Sequence, residues 1–364
     1  MKILMTDYRT AWSDSIKTLE DIKYPQSVHW FEDCFKRLNL GLNYVPHKIA
    51  EKVLDPMLCK SLRESNVKTA FILASGNSHF AGISPIKCSN SLNYTYKFLP
   101  LTLTQVYAGR IGQSLKATDY IATDATACAS SLKVMMDVIH LIKLYDFDRV
   151  IVLSVEDAVS NSTLEFFGEA KANITLEQEK QGIKPSAFDG VNQGFRVAQG
   201  AVLAVFESER IATTAKAELL GAYTASEECS NAIGQREDGQ GFTRAIQGAM
   251  QMAHNPTIEV IKTHGTGTLS NNISEKNGIK VVFDKFVATS LKPKIGHTMG
   301  ASGLLETCLL IDDMHTGFIP PILNRTEDDG VFLSKEKATN GGNILSLSAG
   351  MGNVYSSAIF NTKV

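Results

Sequence analysis

Short apolar runs rich in β-branched residues alternate along this chain with segments of helical periodicity, and this alternation restricts the possible folds more than any other feature. It is typical of layered α/β proteins whose sheets are partly parallel. Strands are predicted at residues 2–5, 69–73, 120–123, 149–155, 201–206, 257–263, 286–290 and 344–348. Helices are predicted at residues 28–37, 129–144, 244–253 and 304–312, mostly from apolar residues three or four positions apart.

Two of the predicted strands end close to residues that can do chemistry. The strand at 120–123 leads through Cys128 into the helix at 129–144, and the strand at 257–263 ends at His264. The similar layout of the two junctions hints at an internal duplication.

The composition is that of an ordinary globular protein and argues against several classes of function. Of the 364 residues, 44% are hydrophobic and 20% are charged, and the formal net charge is −2, which gives no basic footprint for nucleic acid. No apolar run approaches the roughly 18 residues that span a bilayer. Asp7 and Arg9 interrupt the region where a signal peptide would be apolar. We therefore expect a cytoplasmic protein that binds neither nucleic acid nor membrane.

The six cysteines, at positions 34, 59, 88, 128, 229 and 308, show no CxxC spacing. This favours reduced, buried thiols and no metal site. Cys128 differs because it lies among small residues, in the motif ACASS at 127–131. At a helix start, unpaired N–H groups and the helix dipole favour a thiolate, so its pKa is expected to fall below the ordinary value of about 8.5. The alternative is a small core residue at the start of a buried helix.

Two histidines lie in loops of small residues. His264 opens HGTGT at 264–268, and His297 lies in GHTMGASG at 296–303, five residues after Lys292. Such loops present a side chain against closely packed backbone. The ordinary alternatives are structural histidines and a surface lysine. The turn SLSAGMGN at 346–353 could direct backbone N–H groups at an oxyanion, or it could be a simple hairpin turn.

One thiol with two histidines fits acyl transfer followed by decarboxylative carbon–carbon bond formation. The thiolate attacks an acyl carbonyl, and neutral imidazoles donate hydrogen bonds to the enolate that forms on decarboxylation. A cysteine hydrolase needs one histidine and an orienting Asn or Asp, so it has no use for the second histidine loop.

Together these motifs resemble those of the β-ketoacyl synthases of fatty acid and polyketide synthesis. Residues 264–268 match the family's HGTGT throughout, residues 290–303 resemble S-x-K-x-x-x-G-H-x-x-G-A-x-G, and ACASS resembles the active-site cysteine motif. Phe188-Asp189, Gly194-Phe195 and Gly200-Ala201 with Glu207 resemble the family's PFD…GF…GxGA…LE segment. The four motifs occur in the family's order and extend from about residue 104 onward.

The resemblance implies the α/β thiolase fold, with five layers (α-β-α-β-α) built from two similar halves, here residues 1–212 and 213–364, usually in a homodimer. It implies ping-pong chemistry in which Cys128 takes an acyl chain from the phosphopantetheine of an acyl carrier protein. His264 and His297 then promote decarboxylation of the malonyl carrier protein, and no further cofactor or metal is implied. The other implied site residues are Lys292 in the catalytic set, Glu275 as its support, Thr266 and Thr268 as pantetheine contacts, and the backbone N–H groups of Cys128 and Met351 as the oxyanion hole.

The sequence also departs from the family pattern and leaves alternatives open. Met351 stands where the family has a gating phenylalanine, and Asn272 stands where it commonly has Asp. A non-condensing ketosynthase-like subunit, paired in a heterodimer, and a carrier-protein-binding module are the alternatives that keep the fold. A thiolase would need a second cysteine near 348–353, which is absent there, and starter-unit synthases have Asn where this chain has His297. Fatty acid and polyketide or polyene pathways both remain open.

Overall fold

A computed structural model of the protein describes residues 1–14, 49–76, 104–159, 161–190, 193–229, 231 and 233–364. The strands are β1 (Ile3–Asp14), β2 (Thr69–Ala74), β3 (Tyr120–Asp124), β4 (Arg149–Glu156), β5 (Ala198–Ser208), β6 (Ala217–Ser226), β7 (Val260–Lys262), β8 (Ala288–Thr289), β9 (Phe318–Ile319), β10 (Lys337–Ala338), β11 (Asn343–Gly350) and β12 (Val354–Asn361). The helices are α1 (Pro56–Glu64), α2 (Thr104–Ser114), α3 (Ser130–Lys143), α4 (Asn161–Glu169), α5 (Leu176–Lys180), α6 (Gln240–Met252), α7 (Leu269–Val282), α8 (Lys292–Ile295) and α9 (Ser302–His315).

Among the described residues, ten strands form one sheet in the order β3-β2-β4-β5-β1-β6-β12-β11-β7-β8. The order repeats: β1 to β5 are arranged 3-2-4-5-1, and the five strands of the second set, read from β8 inwards, are arranged in the same way. In each set the outer three strands are parallel and the inner two are antiparallel. Among the described strands, the two sets pair with each other where Leu4 and Met5 face Glu218 and Ala217. This repeat supports the duplication that the two junctions suggested, while the division at residue 212 stays a prediction.

The alternation of side chains along the strands separates three core regions. On β4, Val150 and Val152 face a central core with α3 and α9, while Ile151 and Leu153 face an outer core with α1 and α2. The strands of the second set face the same central core on one side and an outer core with α6 and α7 on the other. Because successive strand residues point to opposite faces, each of the two sets of strands is covered on both faces. The five-layer α-β-α-β-α arrangement expected from the resemblance is confirmed.

The two central helices begin in the same way. A single 3₁₀ turn, Ala127–Ala129, precedes α3, and an equivalent turn, Met299–Ala301, precedes α9. Ala127 and Met299 both have positive φ, of 47° and 43°. This conformation is costly for residues with a Cβ and persists only where the surroundings enforce it. The paired turns bring Cys128 and the His297 loop to the same level of the central layer.

All eight predicted strands are confirmed, as are the three predicted helices that correspond to α3, α6 and α9. The helix predicted at 28–37 lies outside the described residues. Strand β6 escaped prediction because Ala, Ser, Gly and Leu outnumber β-branched residues in it. Strand β12 also escaped, although half of its residues are of types enriched in strands. Helix α7 escaped because its sequence, LSNNISEKNGIKVV, has no apolar stripe.

Candidate active site

One cavity gathers the residues that the sequence singled out. It has a volume of about 210 Å³ and opens to solvent past Met351. Its wall combines apolar side chains with hydroxyl, amide and imidazole groups. The lining includes Cys128, Phe166, Phe167, Phe195, Ile233, Gln235, His264, Thr266, Thr268, Asn271, His297 and Met351.

Cys128 lies in the 3₁₀ turn before α3, and its side chain is buried. Burial and the negative charge of the Glu156 carboxylate raise the pKa of Cys128 to about 12, although the Lys292 ammonium acts in the opposite direction. The prediction of a lowered pKa is therefore wrong. The N-terminus of α3 does favour a thiolate, but the buried carboxyl of Glu156 opposes it from the end of β4. At neutral pH Cys128 is therefore a thiol.

The backbone near Cys128 is closely packed against the turn that contains Met351. A Cβ on Gly350 would lie only 2.7 Å from the carbonyl oxygen of Thr126, so only glycine permits this approach. The expected oxyanion hole, made by the N–H groups of Cys128 and Met351, would lie at this contact. That role stays a prediction.

His297 is held by backbone pairing that its own sequence motif does not reveal. Its N–H donates to the carbonyl of Arg196 at 2.7 Å, and its carbonyl accepts from the N–H of Ala198 at 3.0 Å. The imidazole ring meets the Phe195 ring edge to face, with centroids 4.8 Å apart. Its Nδ1 lies 2.8 Å from the hydroxyl of Ser302. The nitrogen left to serve the cavity is therefore Nε2.

His264 follows β7 and is held by a buried carboxylate. Glu275, on α7, accepts hydrogen bonds from the N–H groups of His264 (2.5 Å) and Gly265 (2.9 Å) and from Nδ2 of Asn271 (2.9 Å). The rings of His264 and His297 are 5.6 Å apart between centroids and nearly perpendicular. Glu275 thus fixes the loop on which His264 sits, as a supporting residue would.

Both histidines are kept neutral. Burial and the nearby Lys292 ammonium hold the pKa of each imidazole well below its ordinary value of 6.5, with further contributions from Lys262. A neutral imidazole can donate one N–H bond and accept a proton at its other nitrogen. The pair can therefore polarise an oxygen or take up a thiol proton at neutral pH.

Behind the histidines lies a fully buried cluster of two lysines and one carboxylate. Glu306 on α9 accepts from Lys292 Nζ at 2.8 Å through one oxygen and from Lys262 Nζ at 3.1 Å through the other. Lys262 also donates to the carbonyl of Leu347 at 3.0 Å. Burial lowers the pKa of Lys262 to about 8. Lys292 is therefore not a surface residue, and its charge acts on the site from within the core.

The remaining polar lining of the cavity suits a ligand with amide groups. The hydroxyls of Thr266 and Thr268 lie 3.0 Å apart. Because Nδ2 of Asn271 donates to Glu275, its Oδ1 is an acceptor, and within the described part of the chain neither this oxygen nor Oε1 of Gln235 has a hydrogen-bond partner. An N–H donor on a ligand would satisfy these buried oxygens.

The structure brings together most of the residues predicted from sequence. Cys128, His264, His297, Thr266, Thr268 and Met351 all line the cavity, while Lys292 and Glu275 lie behind the histidines. Sequence reasoning placed Phe195 in a family motif without a role in the site, and it missed Lys262 and Glu306. A carboxylate in the apolar run LLETCLLI, nine residues after His297, was the available signal for Glu306.

Other predictions from sequence have mixed outcomes. The four described cysteines are all free, and Cys59 and Cys308 are buried as expected, but Cys229 is partly exposed. Phe188, Asp189 and Glu207 lie outside the cavity: Phe188 stacks on Phe332, Asp189 accepts from Thr326 and Glu327, and Glu207 pairs with Arg149. No cluster of three metal-binding side chains occurs among the described residues. Nor does any described helix have the length and apolar character to cross a membrane; the cytoplasmic location stays a prediction.

Comparison with known proteins agrees with this geometry. Residues 53–212 match the family model "Beta-ketoacyl synthase, N-terminal domain", and residues 216–326 match "Beta-ketoacyl synthase, C-terminal domain". The chain is 26% identical over 274 residues to 3-oxoacyl-acyl-carrier-protein synthase 2 of Rhizobium meliloti. That match covers 72% of this chain but 65% of the relative, so the chain spans less than two thirds of the relative's length.

Solved structures share the fold over the whole chain. One is a complex of a type II polyketide synthase acyl-carrier protein with its ketosynthase, with a TM-score of 0.79 at 18% identity, covering 100% of this chain and 99% of the other. Another is a ketosynthase in complex with its chain length factor from Xenorhabdus doucetiae, with a TM-score of 0.76 at 17% identity, covering 99% and 98%. At these identities the likeness establishes the fold.

Proposed function

Since the chain belongs to the β-ketoacyl synthase family, we propose that it is an active condensing enzyme, in which Cys128 takes an acyl group from a carrier protein and extends it by decarboxylative condensation. One observation carries the proposal: a buried thiol and two neutral imidazoles line a single cavity. Family membership alone leaves open whether the chain is catalytic. The complete set of thiol and two histidines favours the active enzyme over a non-condensing subunit.

In the first step, the Cys128 sulfur attacks the carbonyl carbon of an acyl thioester. The new S–C bond replaces the bond to the pantetheine sulfur, which leaves as a thiol. Because Cys128 is protonated at rest, its proton must move during attack. A neutral imidazole beside it can accept that proton and return it to the leaving sulfur. The N–H groups of Cys128 and Met351 would hold the oxyanion.

In the second step, a malonyl thioester loses its carboxylate as carbon dioxide, and the electron pair of the broken bond becomes an enolate. The α-carbon of the enolate then attacks the acyl group on Cys128, whose sulfur leaves and is reprotonated. Thr298 lies 3.3 Å from the Ser302 hydroxyl, so Ser302 can accept from Thr298 and donate to Nδ1 of His297. Nε2 of His297 then carries the proton and donates to the enolate oxygen, as Nε2 or Nδ1 of His264 can from its side.

The buried Lys292 and Lys262 give this proposal its electrostatic basis. Their positive charges disfavour protonation of both histidines, so the imidazoles remain donors and proton acceptors at neutral pH. The same charges favour the negative enolate, because electrostatic interactions are stronger in a buried site than in water.

The carrier is proposed to be a phosphopantetheine-bearing acyl carrier protein. The hydroxyls of Thr266 and Thr268 and the unpaired oxygens of Asn271 and Gln235 can receive the amide groups of a pantetheine arm. The Rhizobium relative is named for this substrate, and one structural neighbour was solved with its acyl-carrier protein. A homodimer is the simplest assembly, and a neighbour bound to a chain length factor makes a heterodimer the alternative.

Mass spectrometry of the purified protein with acyl carrier protein tests the proposal. We expect acylation at Cys128 alone among the six cysteines, and none in Cys128→Ala, while Cys308→Ala behaves as the wild type. With malonyl carrier protein added, carbon dioxide release should fall by about 100-fold or more in His264→Gln and in His297→Gln, because removing one donor to a developing oxyanion costs about 10²–10³. Acylation should fall less.

Each contrary outcome has a defined meaning. Carrier binding without acylation would show the carrier-binding module instead of the enzyme. Acylation without carbon dioxide release in the wild type would indicate the non-condensing subunit. Equal loss of both steps in the histidine variants would contradict the roles assigned to His264 and His297. Acyl carriers of fatty acid and polyketide type, compared in the same assay, separate the two pathways.

A further inference from the structure

The turn that carries Met351 is tied to a second segment of the cavity wall, residues 233–236. Nδ2 of Asn353 donates to the carbonyl of Gly234 at 2.7 Å. The carbonyl of Asn353 accepts from the N–H of Glu227 at 3.2 Å. Met351, Ile233, Gly234 and Gln235 all line the cavity. The side chain of Asn353 thus joins the two segments, and its backbone ties the Met351 turn to Glu227.

The backbone of Asn353 is well suited to this contact. Its φ is 59°, in the left-handed region where glycine and asparagine are the usual residues. Asparagine is the choice that adds a side-chain donor at such a position. The side chain is also buried, so its hydrogen bond to Gly234 is protected from water.

The buried carboxylate of Glu227 also connects the two segments. Glu227 accepts from the N–H of Arg236 at 3.0 Å and from the N–H of Gly241 at 2.9 Å, and the hydroxyl of Tyr355 donates to the same carboxylate. Tyr355 lies on β12 directly after the Met351 turn, while Arg236 ends the 233–236 segment. The two segments are therefore linked twice, through Asn353 and through Glu227.

The two linked segments carry apolar side chains that are exposed to solvent at the mouth of the cavity. Ile233 is 57% exposed and Met351 is 40% exposed. Both line the same cavity as Cys128. Exposed apolar side chains beside a pocket indicate a surface that an apolar ligand covers. On the proposed function, that ligand is the acyl chain bound to Cys128.

We propose that Asn353 is a positioning residue that clamps the Met351 turn to residues 233–236, so that the acyl chain meets a fixed wall that restricts its length. Adjustment then comes from the Met351 side chain, which is unbranched and flexible, and the backbone of the turn stays in place. This inference rests on the proposed function, because it concerns the acyl group that Cys128 carries. Selectivity for the acyl chain then comes from a wall that is held in place, and the Met351 turn does not move as a gate.

Asn353→Gly is the primary test, since glycine accepts the φ of 59° and removes only the side chain. Asn353→Asp is the second variant, because it keeps the shape and lacks the donor. In both we expect hydrogen exchange at 233–236 and 351–353 to quicken by about 3- to 10-fold, which corresponds to one hydrogen bond. The ratio of kcat/KM between the preferred acyl carrier and one with a longer chain should fall by a similar factor.

Asn324→Gly is a matched control. Asn324 has a φ of 64°, and its Nδ2 donates to the carbonyl of Pro185 at 2.8 Å, outside the cavity lining. It should leave exchange at the wall and acyl selectivity as in the wild type. Tyr355→Phe should shift both readouts in the same direction as Asn353→Gly, because it weakens the Glu227 link.

The outcomes separate the clamp from the proposed function. Unchanged exchange in Asn353→Gly and Asn353→Asp would overturn the clamp. Faster exchange with unchanged selectivity would overturn its role in acyl recognition. If the wild type acquires no acyl group on Cys128, the proposed function fails, and the role in acyl recognition fails with it, while the exchange data still decide whether Asn353 joins the two segments.

Discussion

Cys128, His264 and His297 are all buried, and burial acts on thiol and imidazole in the same direction: each is held in its neutral form. For Cys128 the neutral form is the thiol, so on the proposed function its proton must move during attack. For the histidines the neutral form is the one that can accept that proton. On the proposed function, the pKa of the Cys128 thiol is not lowered, and a neutral imidazole accepts its proton instead.

The buried histidines predict a loss of stability in mild acid. In the unfolded chain they take up protons below about pH 6.5, whereas in the folded protein their pKa values are well below 6.5. The unfolded state then binds more protons, so the free energy of unfolding falls as the pH drops below about 6.5. Each histidine contributes a slope of up to about 1.4 kcal/mol per pH unit.

Urea unfolding between about pH 5 and pH 7.5 measures this slope. His264→Gln and His297→Gln should each reduce it by up to one proton, and the double variant by up to two. His254→Gln, which replaces an exposed histidine on the turn after α6, is the control and should leave the slope unchanged. A slope as steep in the double variant as in the wild type would contradict neutral, buried imidazoles.

At the residue scale, the sequence predicted which side chains line the cavity but not the protonation state of Cys128. Cys128, His264 and His297 are recognisable because each stands among small residues at the end of a strand or in a loop. The pKa of Cys128 is raised by burial and by Glu156, which lies 28 positions away in sequence and was not singled out. Lys262 and Glu306 form their pair across a strand and a helix, and no local pattern reports such a contact.

Among the secondary-structure elements, α9 supports the site without lining the cavity. It begins with Ser302 beside His297, and one turn later it directs Glu306 at the two buried lysines of β7 and α8. Helix α9, strand β7 and helix α8 are thus joined through the carboxylate of Glu306. Removing a partner from a buried ion pair is costly because it leaves an unpaired charge in the core.

Glu306→Gln is predicted to destabilise the fold by about 3–5 kcal/mol at neutral pH, since both lysines lose their counter-charge. Urea unfolding gives the value. Glu64→Gln is the matched control, because Glu64 pairs with Lys60 at 3.8 Å on the exposed face of α1. That variant should change stability by less than about 0.5 kcal/mol. Adding Lys262→Met to Glu306→Gln should cost less than the two single changes together; a loss under about 1 kcal/mol in Glu306→Gln would refute this account of the cluster.

Sequence periodicity predicted the elements whose apolar residues face one side and missed those that are polar or built from small residues. Helix α3 was predicted from Leu132, Met135 and Ile139, which face the central core. Helix α7 buries Asn271, Ser274 and Glu275 instead, because it supports the His264 loop. Helix α7, which holds the His264 loop, thus escaped prediction because the residues that it buries for the site are polar.

Across the whole molecule, the repeat of strand order places the ends of the two central helices against each other. Leu304, at the start of α9, donates its N–H to the Ser131 hydroxyl at the start of α3, at 3.1 Å. The turn that carries Cys128 belongs to one set of strands, and the His297 loop belongs to the other. Joining them at the helix starts is what makes one site from two similar parts.

Gly303 lies at that junction, where an added side chain is predicted to destabilise the fold. A Cβ there would lie 2.6 Å from Cγ of Leu132 and 2.7 Å from Oγ of Ser348, so Gly303→Ala must push α9 away from α3. We expect a loss of about 1–3 kcal/mol in the free energy of unfolding. Gly109→Ala is the control: a Cβ at that position in α2 meets nothing within 4 Å, and the change should stabilise the protein by about 0.5–1 kcal/mol.

Acylation of Cys128 shows whether the junction also sets the chemistry. Gly303→Ala should slow acylation at a temperature where the variant is fully folded, because the displaced helix carries Ser302 and with it the orientation of His297. Gly109→Ala should acylate at the wild-type rate. If Gly303→Ala loses stability and still acylates normally, the spacing of α3 and α9 serves the fold alone. Slower acylation in the folded variant would show that the contact between the two halves holds the thiol and the imidazole in register.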